Sequence, residues 1–245
     1  MTSGGKTLSG RHVVIVGGGS GMGRATATLA ASHGAKVTIA SRSKEKLETV
    51  AAEIDGNVSA KPVDMTDESA LRAWAESLGT VDHLVISASS AAHGKYEDLP
   101  TDDLRGMIEA KFVGPYVTAR EVLPLIREKG SITLFSGVLS RRSSAGAVGL
   151  GAVNAAVEAL TRGLALELAG RVRVNCISPG MVDSDVYSKM SEDARSAMYA
   201  RVGGALPVGR VGIVEEIAQA VLLTMTNDFM TGTTLDIDGG HMVKA

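Results

Sequence analysis

Five of the 29 glycines of this 245-residue chain fall in one run, Gly17-Gly18-Gly19-Ser20-Gly21-Met22-Gly23, directly after the apolar stretch Val13-Val14-Ile15-Val16. Glycines let backbone N–H groups come close to a phosphate, and a helix opening at the end of such a run adds positive potential from its N-terminus. Between a strand and a helix the run reads as a dinucleotide loop; the plainer reading is a tight glycine-rich turn with no ligand. Ser20 is no nucleophile elbow, because Met22 stands where that motif needs glycine, and no Gly-Lys-Ser/Thr follows to make a P-loop. The next strand ends Ala40-Ser41-Arg42. An acid at Ser41 would pair with a ribose diol, whereas Arg42 suits a 2′-phosphate, so NADP(H) is expected over NAD(H). Arg42 capping its strand is the alternative. Asp64, at the end of the third strand, is placed to accept from an adenine amine or to cap the turn that follows.

Groups able to move a proton are few. Ser136 ends a strand, and His93 lies in the loop Ser89-Ser90-Ala91-Ala92-His93-Gly94. A histidine can exchange protons near neutral pH, but a lone loop histidine is more often a surface residue. Arg141-Arg142 suits an anion or a carbonyl oxygen, or is a solvated basic pair. Tyr187 belongs to a segment that looks like a lid. No metal site is expected, since the five histidines are scattered without HExxH and Cys176 stands alone. The net charge of −2 and the lack of a basic block argue against nucleic acid as partner. No apolar run approaches a membrane span, and residues 1–10 lack the apolar core of a signal peptide. A cytoplasmic protein acting on a small molecule is expected.

The elements that must hold these groups follow from the hydrophobic pattern. Strand-like runs at 13–16, 36–40, 58–63, 82–87, 131–136, 172–177 and 233–237 alternate with helical stretches. Helices are expected at 24–33, 44–54, 66–78, 101–127, 149–169, from 191, and at 214–225, with Thr66 and Thr101 as caps and Pro115 and Pro124 bending the long one. Continuous apolar strands separated by helices predict an α/β fold, a Rossmann-like, doubly wound, seven-stranded parallel sheet in a single domain spanning 1–245. Residues 1–10 read as a tail, and 183–212 as a helical substrate lid.

Together these segments resemble the short-chain dehydrogenase/reductase family over nearly the whole chain. Val16-Gly17-Gly18-Gly19-Ser20-Gly21-Met22-Gly23 is similar to the family's T-G-x-x-x-G-x-G loop, with Val16 for Thr. Leu84-Val85-Ile86-Ser87-Ala88-Ser89 sits where the family has N-N-A-G, Val174-Asn175-Cys176-Ile177-Ser178-Pro179-Gly180 precedes the nicotinamide site, and Asp236-Ile237-Asp238-Gly239-Gly240 resembles its D-G-G ending. The resemblance implies cofactor contacts from Gly17, Gly19, Ser20, Gly21, Met22, Gly23, Ser41, Arg42, Asp64, Met65, Ser87, Ala88, Pro179 and Gly180, with Val182 and Ser184 at the carboxamide. It also implies a homodimer or homotetramer built on the helices at 101–127 and 149–169.

The catalytic part departs from the pattern. The family uses Asn, Ser, Tyr and Lys; here the matching positions carry Lys111, Gly137, Leu150 and Asn154. None of the four tyrosines lies on the helix carrying Leu150 and Asn154, so a shifted alignment restores nothing. Leu150 has no proton to give, and Asn154 has no charge, although it can still hydrogen-bond a ribose hydroxyl. Lys111 and Asn154 look like an exchange of the family's Asn and Lys, unless Lys111 is merely a solvated helix residue. Three functions are compatible with these residues: an NADP(H)-dependent reductase of a carbonyl or imine-type substrate with an atypical proton source, among Lys111, Ser136, Asn154 and His93; a silent NADP(H)-binding pseudoenzyme; or a non-redox enzyme on the same fold.

Overall fold

The structure is a computed structural model and describes residues 7–88, 90–188 and 190–244. Strands β1 (His12–Val16), β2 (Lys36–Ala40), β3 (Asn57–Ala60), β4 (Val81–Ile86), β5 (Ile126–Phe135) and β6 (Val172–Pro179) come in chain order. A two-residue pair, β7 (Val182–Asp183) and β8 (Gly212–Ile213), precedes the last strand, β9 (Thr234–Ile237). The main sheet has the order β3-β2-β1-β4-β5-β6-β9, and every pairing in it is parallel. Helices α1 (Gly21–Ser32), α2 (Lys44–Glu53) and α8 (Val214–Thr226) cover one face. Helices α3 (Glu68–Glu76), α5 (Gly114–Val122) and α6 (Val148–Glu167) cover the other, while α4 (Thr101–Ile108) packs beside α6 and α7 (Glu192–Gly204) lies between β7 and β8.

Strand residues alternate between two cores, as the period of two demands. Val14, Val16, Leu84, Ile86, Ile132, Leu134 and Val174 pack with Trp74, Val122 and Val157. Val13, Ile15, Val85, Phe135 and Ile177 pack with Ala27, Leu47 and Ile217. Because both faces are covered, the strands need no polar side, which is why they read as unbroken apolar runs.

Several local expectations change. Leu8 is buried and its N–H donates to the His33 carbonyl at 3.1 Å, so the chain is packed from there on; residues 1–6 of the expected tail lie outside the described residues. Thr66 is not the cap of α3. Asp67 is, accepting from the N–H groups of Ser69 and Ala70, while Thr66 donates its N–H and its hydroxyl to Asp64. A charged acceptor one residue nearer the helix wins the cap. Thr101 is no cap either: Pro100 holds that position without a side-chain bond. The stretch from 101 is cut into α4, a π-turn at Glu109–Val113, α5 with Pro115 in its first turn, and a 3₁₀ turn at Leu123–Leu125. β5 therefore starts at Ile126, not 131, and bridges through Lys129 at φ 65°. The 183–212 segment is not purely helical, since β7 and β8 tie its two ends together.

The strand ends opposite the glycine loop carry buried polar groups. His83 shares a hydrogen bond with the Ser131 hydroxyl at 2.9 Å, and burial pushes its pKa from 6.5 down to about 4. Such a group favours the folded state fully above pH 6.5, and that contribution is lost as the pH falls towards 4, on the order of 3 kcal/mol in total. We expect the stability of the wild type to fall more steeply than that of His83→Gln between pH 7 and pH 4 in denaturant titrations; parallel curves would show that His83 is not the acid-sensitive group.

Candidate active site

The glycine loop joins β1 to α1, and its glycines have two different jobs. A Cβ on Gly17 (φ +94°) would stand 2.4 Å from the Ala88 nitrogen, and one on Gly23 would stand 2.2 Å from the Gly17 carbonyl and 2.5 Å from the Ser87 Oγ. These two let β1, α1 and the end of β4 touch, which a side chain would prevent. Ser87 and Ala88 in turn donate their N–H groups to the Val16 carbonyl. Gly19 is buried too but less crowded: only the Leu47 and Ser41 side chains approach its Cβ position, both at 3.4 Å.

α1 then opens without help from its own residues. Ser20 is its N-cap but accepts no side-chain bond, and the first turn has no acid. Its positive pole meets one carboxylate from outside, Asp185, which accepts from the Gly21 N–H at 3.3 Å. Ser184 packs against Gly21, with its Cβ 3.8 Å from the place a Gly21 side chain would start. Met22 is half-buried against the α1 face of the sheet. Val182 is buried in β7, and Pro179 ends β6. Gly180 cannot carry a side chain, since its Cβ would lie 2.8 Å from the Asp238 Cα.

Ser41 is half-buried, and Arg42 is exposed with no ion pair or side-chain hydrogen bond among the described residues. Asp64 lies near enough for the Arg42 charge to act on it, although its carboxyl is held below the usual range chiefly by the Thr66 N–H and hydroxyl. One carboxylate oxygen of Asp64 is thus already engaged. Met65, next to it, lies against Gly114.

The chemical end is built around the C-terminus of β5. Lys111, from the π-turn, is buried rather than solvated, and its ammonium donates to the carbonyls of Phe135 (3.4 Å) and Ser136 (3.3 Å). Burial lowers its pKa from 10.5 to about 8. From α6, the Asn154 Nδ2 donates to the Gly137 carbonyl at 3.4 Å, and the Asn154 Oδ1 is buried with no partner. Lys111 and Asn154 therefore do converge, on successive carbonyls of one strand end. Gly137 is what admits Asn154: a Cβ there would sit 2.9 Å from Nδ2. Leu150, one turn before Asn154, is packed with Met107 and Val153.

Other candidates stand apart. The Ser136 hydroxyl donates to Glu158 at 2.9 Å, so its proton is committed away from an incoming substrate. Glu158 escaped the sequence reading. It is buried on α6, one turn beyond Asn154, and accepts from the Ser140 hydroxyl as well (2.6 Å). Its spacing of four from Asn154 was the available signal. Arg141 and Arg142 are not free, although Arg141 stays exposed. Arg141 pairs with Asp236 and Glu158, and Arg142 donates to the carbonyls of His241 and Lys244. Tyr187 packs edge-on against Tyr199, with ring centroids 5.8 Å apart. His93 is exposed and forms no hydrogen bond among the described residues; Ser89 of its loop lies outside them. No group of three or more metal-ligating side chains occurs among the described residues. No helix among them is long and apolar enough to cross a membrane.

A parallel sheet with a glycine-rich first crossover, a helix N-terminus without a cap of its own and polar groups at the ends of β5 and β6 is the architecture of an α/β protein that binds a nicotinamide dinucleotide. The residues fit that group: no side chain of α1 itself caps its N-terminus, the Cβ place of Gly19 is uncrowded, Arg42 is unpaired among the described residues and the Asn154 Oδ1 is orphaned. The chain belongs to the short-chain dehydrogenase/reductase family of oxidoreductases. A family model described as enoyl-(acyl carrier protein) reductase matches residues 17–242. A 3-oxoacyl-acyl-carrier-protein reductase of Thermotoga maritima is 31% identical, with 96% of this chain and 99% of that protein covered. Among solved structures, a small-chain dehydrogenase in complex with NADPH is 36% identical at a TM-score of 0.82, covering 94% of this chain and 97% of the other. The MalC reductase/Diels-Alderase of Malbranchea aurantiaca is 25% identical at 0.90, covering 98% and 99%.

Proposed function

We propose that the protein is an NADP(H)-dependent reductase of a small carbonyl or imine-type substrate that does not rely on a tyrosine acid. The carrying observation is the contrast between the two halves of the site. The glycine loop is present and Arg42 is unengaged among the described residues, which supports a 2′-phosphate there, while position 150, where the family has its acid, holds Leu150 packed into an apolar cluster. The likeness to a structure holding NADPH supports the same cofactor choice.

When bound, the nicotinamide supplies a hydride. The chain's part is to orient and to stabilise charge. Asn154 is read as the ribose ligand, its unpaired Oδ1 accepting a hydroxyl proton; an unmatched buried acceptor otherwise costs about 1–3 kcal/mol. Lys111 keeps an ammonium at the strand end where the family has an amide. An imine substrate suits a site without an acid, because a protonated imine brings its own proton and its nitrogen takes up the C=N pair. The measurement that tests this is loss of NADPH absorbance over a panel of carbonyls and cyclic imines, set beside NADPH binding by fluorescence. Turnover is expected with imines first. Binding without turnover anywhere on the panel would refute the reductase reading.

A second reading, non-redox chemistry with the dinucleotide as a structural element, is supported by the absence of an acid at position 150 and by the likeness to a protein named both reductase and Diels-Alderase. For assembly, we propose the expected homodimer or homotetramer through α4 and α6. An apolar groove of about 750 Å³ runs there, lined by Leu104, Ile108, Phe112, Val148 and Ala156.

A further inference from the structure

Lys111 is a charge in an unusual place. Its residue is 7% exposed, its recorded partners are two backbone carbonyls, and no carboxylate lies within ion-pair distance of it among the described residues. Carbonyl dipoles steady an ammonium but do not cancel its field, and in a dry interior that field reaches further than it would in water. The two redox states of a nicotinamide differ by one charge: the oxidised ring is a cation and the reduced ring is neutral. A cation fixed behind the ring therefore treats the two differently.

We propose that Lys111 makes the site prefer the reduced dinucleotide, and that binding of the oxidised form expels a proton from its ammonium. The inference rests on the reading given above, in which the nicotinamide lies over the ends of β5 and β6.

The neighbours leave Lys111 as the group that titrates here. On β6, Cys176 faces it, but burial pushes that thiol up to about 12, so it stays neutral through the physiological range. On α6, the Glu158 carboxylate is set behind Ser136 and takes up the hydroxyls of Ser136 and Ser140 and the Arg141 guanidinium. Arg141 is further matched by Asp236 of β9. On its own π-turn the other charged residue, Glu109, is exposed. Burial brings the Lys111 ammonium to about 8, where a modest push from a second cation suffices to deprotonate it.

The test is a pair of binding curves, NADP+ and NADPH, measured by calorimetry and fluorescence from pH 6.5 to pH 9.5. In the wild type, affinity for NADP+ should rise about tenfold across pH 8 while that for NADPH stays level, the order expected for one charge acting on another across several ångströms of protein. Calorimetry in two buffers of different ionisation heat should show protons released with NADP+ alone. Lys111→Met should bind NADP+ tightly at every pH, and Lys111→Arg weakly at every pH. A level NADP+ curve in the wild type overturns the proposal, as does a pH dependence that survives in Lys111→Met. If neither dinucleotide binds at any pH, the cofactor reading itself fails and takes this inference with it. If both bind with a constant ratio, only the inference fails.

Discussion

Arg42→Ala is expected to weaken NADPH binding about thirtyfold and to leave NADH binding within about twofold, the loss of one or two charge-assisted hydrogen bonds to a phosphate. The size of the effect follows from the state of the side chain before ligand arrives. Arg42 is exposed and engages no carboxylate or carbonyl among the described residues, so a phosphate need not compete for it. Asp64, on which its charge acts, is already turned to Thr66. Ser41 beside it carries no charge to repel a 2′-phosphate. Fluorescence titration of both reduced dinucleotides against wild type and variant reads the ratio directly. Equal weakening of the two would show that Arg42 acts on something they share, and the assigned preference would be wrong.

What the sequence disclosed and what it hid divide along a physical line. The glycine loop, the buried strands and the missing tyrosine are local patterns, each written in neighbouring residues. Thus the run before Gly17 announced β1, and a parallel, doubly wound sheet followed from the alternation of strands and helices. Pro115 and Pro124 announced the breaks in the stretch after 101, because a residue without an N–H is tolerated in the first turn of a helix but not in its interior. Features that depend on distant partners were not legible. Arg141 looked available because nothing near it in sequence is acidic; its partners, Asp236 and Glu158, come from β9 and α6. Thr66 reads as the cap of α3 from sequence, and only the fold, by giving Thr66 to Asp64, leaves that place to Asp67. The β7–β8 pair has two residues a side, too short for any periodicity, and it exists because both ends of the lid segment return to one place. For the same reason the sequence leaves Lys111 open between a site residue and a solvated helix residue. The π-turn that carries it inward has no signature of its own, whereas the exchange with Asn154 was visible as a pair of misplaced residue types.

Gly137→Ser, introduced alone, is expected to destabilise the protein by about 1–3 kcal/mol, the cost of forcing an extra group into a filled space. Asn154, 3% exposed, stands where the new Cβ would go, at 2.9 Å, and the Pro179 carbonyl limits retreat on the other side. The same substitution made together with Asn154→Lys should cost less than the sum of the two, because the amide that blocked it has gone. Leu150→Tyr meets a comparable limit, since Leu150 is enclosed with Met107 and Val153. A tyrosine-dependent carbonyl reductase on this chain therefore requires a coupled change: Gly137→Ser, Leu150→Tyr and Asn154→Lys, with Lys111→Asn added so that two ammonium groups do not face each other at the end of β5. The triple variant should bind NADPH but reduce carbonyls poorly, and the quadruple variant should do so at least tenfold faster. Thermal unfolding of the single and paired variants, read as a double-mutant cycle, gives the coupling between 137 and 154. NADPH consumption with a simple ketone gives the activity. Strict additivity in the cycle would mean that Asn154 does not hold the slot of the family serine. It would leave the loss of that serine without the physical reason offered here: a larger amide from α6 has taken its place.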